Sequence, residues 1–366
     1  MSDAIRRWRD ATGDAYALGL VRIALGLLLF AGALRATREL EDVYFGEVFH
    51  WPIVPEAFVP SRGVYALLVI AQVLLAVLVV AGHGRSARPA LLASALLGTY
   101  VLLCDRLQFH NNRWALYCYS ALLAFAPCDR SFHLGPPAAT RVGPLWAAGL
   151  AQLQLAMIYV ASGGSKLLDP DWRDGRVLLQ RLRMYGPQAV DAGVPQCLLD
   201  WMTGTNLPSA LAKLAIATEL LLAVGLLSRR ARIFALWWGL WFHLVIEVTS
   251  RVEGFTWLTL SIYVLFVTPD VRACKLFFDA SRPRGRWVAR AVALLDWLAR
   301  FDIKAWAPDA AQRGHALVVV RRDGSPATGL RALAVVARCT PLLFPMWAPL
   351  ALVSSFTRAR DADVED

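Results

Sequence analysis

Ile158-Tyr-Val-Ala-Ser-Gly-Gly-Ser-Lys166-Leu-Leu-Asp-Pro-Asp-Trp172-Arg-Asp-Gly175 is the stretch where an apolar run gives way to a lysine, acids and a tryptophan. The run before it, from about Val142 to Ser162, is close to the ~20 residues that cross a bilayer as a helix. Lys166 is therefore expected where hydrocarbon meets water. Gly163 and Gly164 are expected to loosen the helix there, because glycine admits backbone conformations that other residues avoid. The plain reading is a snorkelling lysine and an interfacial tryptophan at a helix end. The functional reading is a cation held beside a flexible backbone at a membrane surface.

The rest of the chain has the same texture. Of 366 residues, 57% are hydrophobic and 14 are Trp, and the mean hydropathy is +0.46, well beyond the apolar share of soluble domains. The net charge of +10 does not form one basic face. Its arginines sit in short connections between apolar runs, which points to membrane orientation and away from nucleic acid. Met1 to Asp14 is polar, and the first apolar run is long enough to stay as a span, so no cleaved signal is expected. The six cysteines, Cys104, Cys118, Cys128, Cys197, Cys274 and Cys339, show no C-x-x-C and no metal-ligand spacing, so neither a disulfide framework nor zinc is expected.

Eight spans follow in order: Tyr16–Ala36, Val64–Ala81, Pro89–Leu103, Trp114–Ala126, Val142–Ser162, Pro208–Leu227, Ile233–Val248 and Phe255–Val267. Arg22 lies inside the first, where a mid-bilayer charge costs about 2.5–3.5 kcal/mol unless it faces protein, water or the interface. With the N-terminus in the cytoplasm, Arg85/Arg88, Arg130/Arg141 and Arg229/Arg230/Arg232 fall on the cytoplasmic side, as the positive-inside rule requires. Three polar segments then meet on the outer face: the loop Glu39–Arg62 with Glu41, Asp42, Glu47 and Glu56; the connection Cys104–Trp114; and Lys166–Asn206. Within the last, Arg173, Arg176, Arg181 and Arg183 interleave with leucines as in an amphipathic helix lying on the membrane surface. After Pro269 the pattern is that of a small α/β module: strand Cys274–Asp279, helix Trp287–Arg300, strands Phe301–Trp306 and Ala316–Val320, the turn Arg322-Asp-Gly324, and helix Leu330–Ala337. Pro341–Phe356 is too short and too broken for a ninth span and reads as an interfacial or packed helix.

These residues resemble the HTTM family, the integral-membrane domain shared by vitamin K-dependent gamma-carboxylases and many bacterial relatives. The resemblance rests on Gly19-Leu-Val-Arg22-Ile-Ala-Leu-Gly26, His110-Asn-Asn-Arg113, Tyr159 to Trp172, and His243 through Gly254-Phe-Thr-Trp257 to Pro269. It implies a lysine base acting on vitamin K hydroquinone, giving an epoxide and a glutamate carbanion that captures carbon dioxide. Two positions depart from the carboxylase pattern. Of its two adjacent lysines the second is the base, and counting back from Trp172 that place is Leu167, with Lys166 at the first. The histidine expected directly after Asn-Asn is Arg113. Leucine carries no proton and arginine stays protonated, so true glutamate carboxylation is not expected unless the glycines shift the register of Lys166. The tail, Leu276-Phe-Phe-Asp279-Ala-Ser-Arg282-Pro-Arg-Gly285 followed by Leu295-Asp296-Trp297, resembles a DCC1-like thiol-disulfide oxidoreductase module of thioredoxin fold. Its C-x-x-C is missing near Arg282 to Gly285, and without the thiolate the family's exchange cannot occur. Cys274 and Cys339 read as buried fillers.

The expected fold is mainly α, a polytopic transmembrane helical bundle of about eight spans with a small C-terminal α/β thioredoxin-like module. Residues 1–15 are a cytoplasmic segment, 16–269 the HTTM-like domain and 270–366 a cytoplasmic docking or structural remnant. Lys166 is the candidate catalytic base or charge stabiliser. His110, Asn111, Asn112, Arg113, Trp172, Glu219, His243 and Glu247 are the candidate substrate-binding residues. Glu219 is a functional candidate or half of a buried pair, with Lys213, Arg22 or His243 as partner. His243 and Glu247, one turn apart, lack a third metal ligand and read first as a packing pair. Asn111, Asn112 and Arg113 suit an anionic head group or peptide carboxylate as well as a helix-start turn. Trp237, Trp238 and Trp241 read as lipid-facing packing. The cofactor is open, with a quinone such as vitamin K hydroquinone implied by the resemblance. The expected partners are the bilayer, a quinone, lipid or membrane-associated peptide, and in the competing reading a protein complex that matures or exports a peptide or toxin. The expected compartment is a bacterial inner membrane, and enzymatic activity stays open.

Overall fold

The computed structural model describes residues 3–38, 49–83, 86–135, 140–191, 193–250, 252, 254–266, 273–306 and 317–362. The acidic positions Glu41, Asp42 and Glu47, together with Arg85, lie outside them. The chain forms two compact units, Met1–Pro269 and Asp270–Asp366.

The first unit is helical. After α1 (Asp3–Arg9) and the short strand β1 (Thr12–Asp14) come α2 (Tyr16–Arg38), α3 (Arg62–Ala81), α4 (Ala87–Leu103) and α5 (Asn111–Ala124). Strand β2 (Val142–Pro144) leads into α6 (Trp146–Leu168), α7 (Pro170–Arg173), α8 (Arg176–Asp191), α9 (Gln196–Gly204), α10 (Leu207–Leu227), α11 (Arg232–Ser250) and α12 (Phe255–Tyr263). Three of these, Tyr16–Arg38, Arg62–Ala81 and Leu207–Leu227, are long and apolar enough to cross a membrane. The other expected spans exist as helices, but by length and composition the eight-span count is not met among the described residues. Buried small and branched residues, among them Leu25, Leu91, Ala151, Leu155, Leu222 and Ile262, join the helices in one core.

One end of the bundle is tied together by polar contacts. β1 pairs antiparallel with β2, and Arg141 reaches Asp14 at 2.7 Å while its guanidinium lies 4.6 Å from the centre of the Tyr16 ring. Arg22 is fully buried, so it does not snorkel. It donates to the carbonyls of Cys128, Ser131 and Phe132, and Gly82, in the left-handed region at φ 64°, leaves room for its guanidinium. Arg88 donates to the Ala124 carbonyl at 2.8 Å, Leu134 N–H to that of Ala81, and Arg232 to that of Leu226 while covering Phe266. The basic connections therefore share an end, as the sequence indicates. Since α6 starts there and α5 finishes there, Lys166 and Asn111 both lie toward the opposite end.

At that opposite end, two of the segments expected to converge do so. Trp51 N–H and the His50 ring bind the Asp105 carboxylate, Arg106 N–H donates to the Trp51 carbonyl, and Arg106 lies 4.9 Å from the centre of the Trp51 ring. The third segment is organised separately, as α7 to α9 packed on α10 and α11. The helix expected at the membrane surface is α8, and it packs on α11 and α10.

The second unit is a four-stranded sheet with helices. Strands β3 (Cys274–Asp279) and β4 (Phe301–Trp306) are parallel and joined through α13 (Pro283–Leu295); β5 (Leu317–Val320) and β6 (Pro326–Thr328) follow antiparallel, in the order β4-β3-β5-β6. Helix α14 (Gly329–Cys339) covers the sheet with Ala332 and Val336 against Leu276 and Val319. The strand β6 is too short to show in the sequence. A 3-10 stretch over Pro341–Met346 and α15 (Trp347–Ala362) close the chain by packing on α14, so the apolar Pro341–Phe356 run is a packed helix of this unit.

Candidate functional site

Helix α6 does not loosen at its glycines. It runs through Gly163 and Gly164 to Leu168, and Asp169 then caps α7 by accepting from Asp171 N–H. Gly163 serves close packing instead: a Cβ there would sit 3.0 Å from Leu220 and 3.3 Å from Glu219 of α10, the use of small residues typical between membrane helices. That approach sets the site. On α6, Tyr159, Ser162, Gly163 and Lys166 recur at helical spacing and face the same neighbours.

Lys166 bends inward from the end of α6. Its Nζ lies 2.5 Å from Glu219 Oε1 and 3.0 Å from Ser162 Oγ, and Ser162 Oγ also donates to Glu219 Oε1 at 3.2 Å. The Trp172 ring closes the outer side, its centre 4.9 Å from Nζ. The lysine side chain is 18% exposed and the carboxylate 4%, so the partner of Glu219 is Lys166, not Lys213, Arg22 or His243. Lys213 is exposed and Arg22 binds carbonyls at the other end. A second polar string lies beside this pair. Tyr159 Oη is 2.6 Å from His243 Nε2 and 2.6 Å from Tyr263 Oη, and all three residues are buried. Gly239 makes the space for the Tyr263 hydroxyl. Tyr159 and Ser162, three residues apart on α6, place the two groups side by side.

Glu219 Oε2 and His243 Nδ1 in these two groups are buried without a hydrogen-bond partner among the described residues, as is Glu247 Oε2, one turn beyond His243 on α11. A buried polar atom left unpaired costs about 1–3 kcal/mol, and such atoms mark where a ligand or water would be accepted. No cluster of three metal-ligating side chains exists among the described residues. His243 is held by aromatic edges, with the Phe242, Phe255 and Tyr263 rings against it, and its own carbonyl accepts from Thr256 Oγ1.

The other expected site residues stand apart. His110 is the N-cap of α5, its Nδ1 accepting from Asn112 N–H at 3.3 Å, so Asn111, Asn112 and Arg113 form the first turn of that helix, at the same end of the bundle as Lys166. A cleft of about 510 Å³ opens on another face of α6 and is lined by Leu122, Leu153, Gln154, Met157, Ile158 and Ala161. Trp237 and Trp241 meet edge to face, and Trp238, 46% exposed, donates to Thr218. Tyr159, Tyr263 and Ser162 are the members that sequence reasoning did not select. The signal for two of them was their i, i+3, i+7 placement with Lys166.

The HTTM domain family matches residues 11–271. None of the curated proteins and none of the solved structures matches the chain.

Proposed function

Because the chain belongs to the HTTM family through residues 11–271, we propose that it is a membrane protein related to the vitamin K-dependent gamma-carboxylases that binds an amphipathic molecule, a quinone, lipid or membrane-associated peptide, between α6, α10 and α11. The observation that supports this is the buried Lys166–Glu219 pair with Glu219 Oε2 and His243 Nδ1 unpaired beside it. An amphipathic ligand places its polar head against those atoms and its tail among the apolar helix surfaces.

The chemistry at the site follows from its residues. Lys166 neutralises charge developing on a bound oxygen, and Glu219, accepting a hydrogen bond from its Nζ, holds the ammonium charged and in place. The Tyr263–Tyr159–His243 string carries a proton between the site and α11. With Leu167 and Arg113 at the two carboxylase acid-base positions, glutamate carboxylation is not part of the proposal. The eight-span arrangement, with the basic connections and both termini in the cytoplasm of a bacterial cell, is the topology that accompanies it. The second unit is read as a DCC1-like, thioredoxin-like module, which its strand order and the helix following β3 support.

A second reading has its own observation. Lys166 is neutralised in place by Glu219 and covered by Trp172. That is what a non-catalytic subunit of a peptide or toxin maturation or export complex would retain. Purification separates the two. A quinone or lipid that co-purifies with the protein and is lost in Lys166→Ala supports binding. A stable protein partner with no small molecule supports the subunit.

A further inference from the structure

We infer that Cys274 and Cys339 in the second unit form a redox couple, a dithiol that closes reversibly to a disulfide by exchange with a low-molecular-weight or protein disulfide. The topology brings the two together although 64 residues separate them in sequence. Lys275 pairs with Val320, so the start of β3 lies beside the end of β5 and the hairpin turn that follows, Arg321 to Ser325. That turn is closed by Arg321 N–H on the Ser325 carbonyl and by Gly324 at φ 88°. From it β6 runs away, and α14 returns over the sheet for 11 residues, about 16 Å at 1.5 Å per residue. Its last residue, Cys339, arrives at the end of the sheet where Cys274 begins β3.

The two thiols meet there, hydrogen-bonded to each other, with the Arg322 and Arg338 guanidinium groups near them. Arg322 Nε is buried and has no hydrogen-bond acceptor among the described residues, a donor waiting for an anion. The Cys339 hydrogen bond and the two guanidinium charges pull the Cys274 thiol down to about 6, against desolvation, which opposes the shift. Cys274 is the thiolate of the pair, and Cys339, only partly covered, keeps the proton they share. The Cys274 thiolate attacks an incoming disulfide RSSR. Its S–S bond breaks, a mixed disulfide Cys274–S–S–R forms, and RS⁻ leaves and takes the Cys339 proton. The Cys339 thiolate then attacks Cys274 Sγ and expels the second RS⁻. The chain is oxidised by two electrons, RSSR is reduced to two thiols, and the two cysteine protons end on them. The pair lies at the end of β3 away from Arg282–Gly285, so it is a site separate from the missing C-x-x-C.

The test uses the full-length protein in detergent with oxidised glutathione as the probe. After acid quenching, free thiols are capped with a maleimide and counted by intact mass and peptide mapping. The expected result is that the six alkylatable thiols fall to four, a cross-linked peptide joins Cys274 to Cys339, and dithiothreitol restores all six. In Cys339→Ser the exchange stops at a glutathione adduct on Cys274. Six thiols still capped after oxidation, or a lasting adduct on wild-type Cys274 with no cross-link, overturns the inference, and the wild-type readout does not depend on any variant folding.

Discussion

Replacing Lys166 with methionine removes the cation and keeps most of the side-chain volume, which isolates the energetic role of the buried pair. Glu219 is 4% exposed, and with the lysine gone its carboxylate keeps only the Ser162 hydroxyl. Removing one partner of a buried ion pair costs about 3–5 kcal/mol, and the partial exposure of Lys166 puts this case near 3 kcal/mol. Its approach to Trp172 contributes about 0.5–1 kcal/mol of that as a cation–π contact. For a unit of this size, about 3 kcal/mol corresponds to roughly 6–12 °C in Tm. The double variant Lys166→Met/Glu219→Leu leaves no orphaned charge and is expected to recover to near wild type, since an apolar pair can replace a buried ion pair at no net cost. Thermal unfolding in one detergent, followed by tryptophan fluorescence, measures all four corners of the cycle. Additive losses in the double variant, or an unchanged Tm in Lys166→Met, would refute the reasoning.

Other substitutions probe separate parts of the structure. Gly163→Val is expected to cost about 1–3 kcal/mol by forcing α6 off Leu220, whereas Gly164→Ala, with nothing within 4 Å of its Cβ, is expected to gain up to about 1 kcal/mol; the two melting curves check this directly. Arg22→Leu strands the carbonyls of Cys128, Ser131 and Phe132 at about 1–3 kcal/mol each, enough to abolish recovery of folded protein on size exclusion, and Arg22→Lys is expected to rescue poorly because an ammonium lacks the planar fork. The Cys274 thiol, lowered to about 6, is deprotonated above that pH and protonated below it. Oxidation of the pair by glutathione disulfide is therefore expected to proceed at pH 7 and to fade below about pH 6, read from the yield of cross-linked peptide, whereas ordinary thiols near 8.5 would need a higher pH.

Helices were legible because apolar runs bounded by arginines leave few alternatives. The boundaries of α3 and α10 differ from expectation by two residues or fewer. What a one-dimensional reading handles poorly is the use of a residue by its neighbours. Gly163 and Gly164 look alike in sequence, yet only Gly163 faces α10, so the glycine pair signals close packing and not a break. Arg22, two turns into α2, satisfies the rule for snorkelling, but the chain from Cys128 to Phe132 folds under it and supplies three carbonyls. The partner of Glu219 was missed because Lys166 was read as pointing to water; the inward bend appears only once Gly163 lets the helices touch. The contact of Cys274 with Cys339 depends on β6, a three-residue strand with no periodic signature.

Sidedness tests the central claim most directly, because the site belongs to the end of the bundle opposite the basic connections. Single cysteines at Asn111, Asp171 and Arg230, in a background with the native cysteines replaced, are treated in intact cells with a membrane-impermeant maleimide. The account predicts that Asn111 and Asp171 label from outside while Arg230 labels only after lysis. Labelling of Asn111 and Asp171 from opposite sides of the membrane, or of Arg230 together with Asp171 from outside, would contradict it.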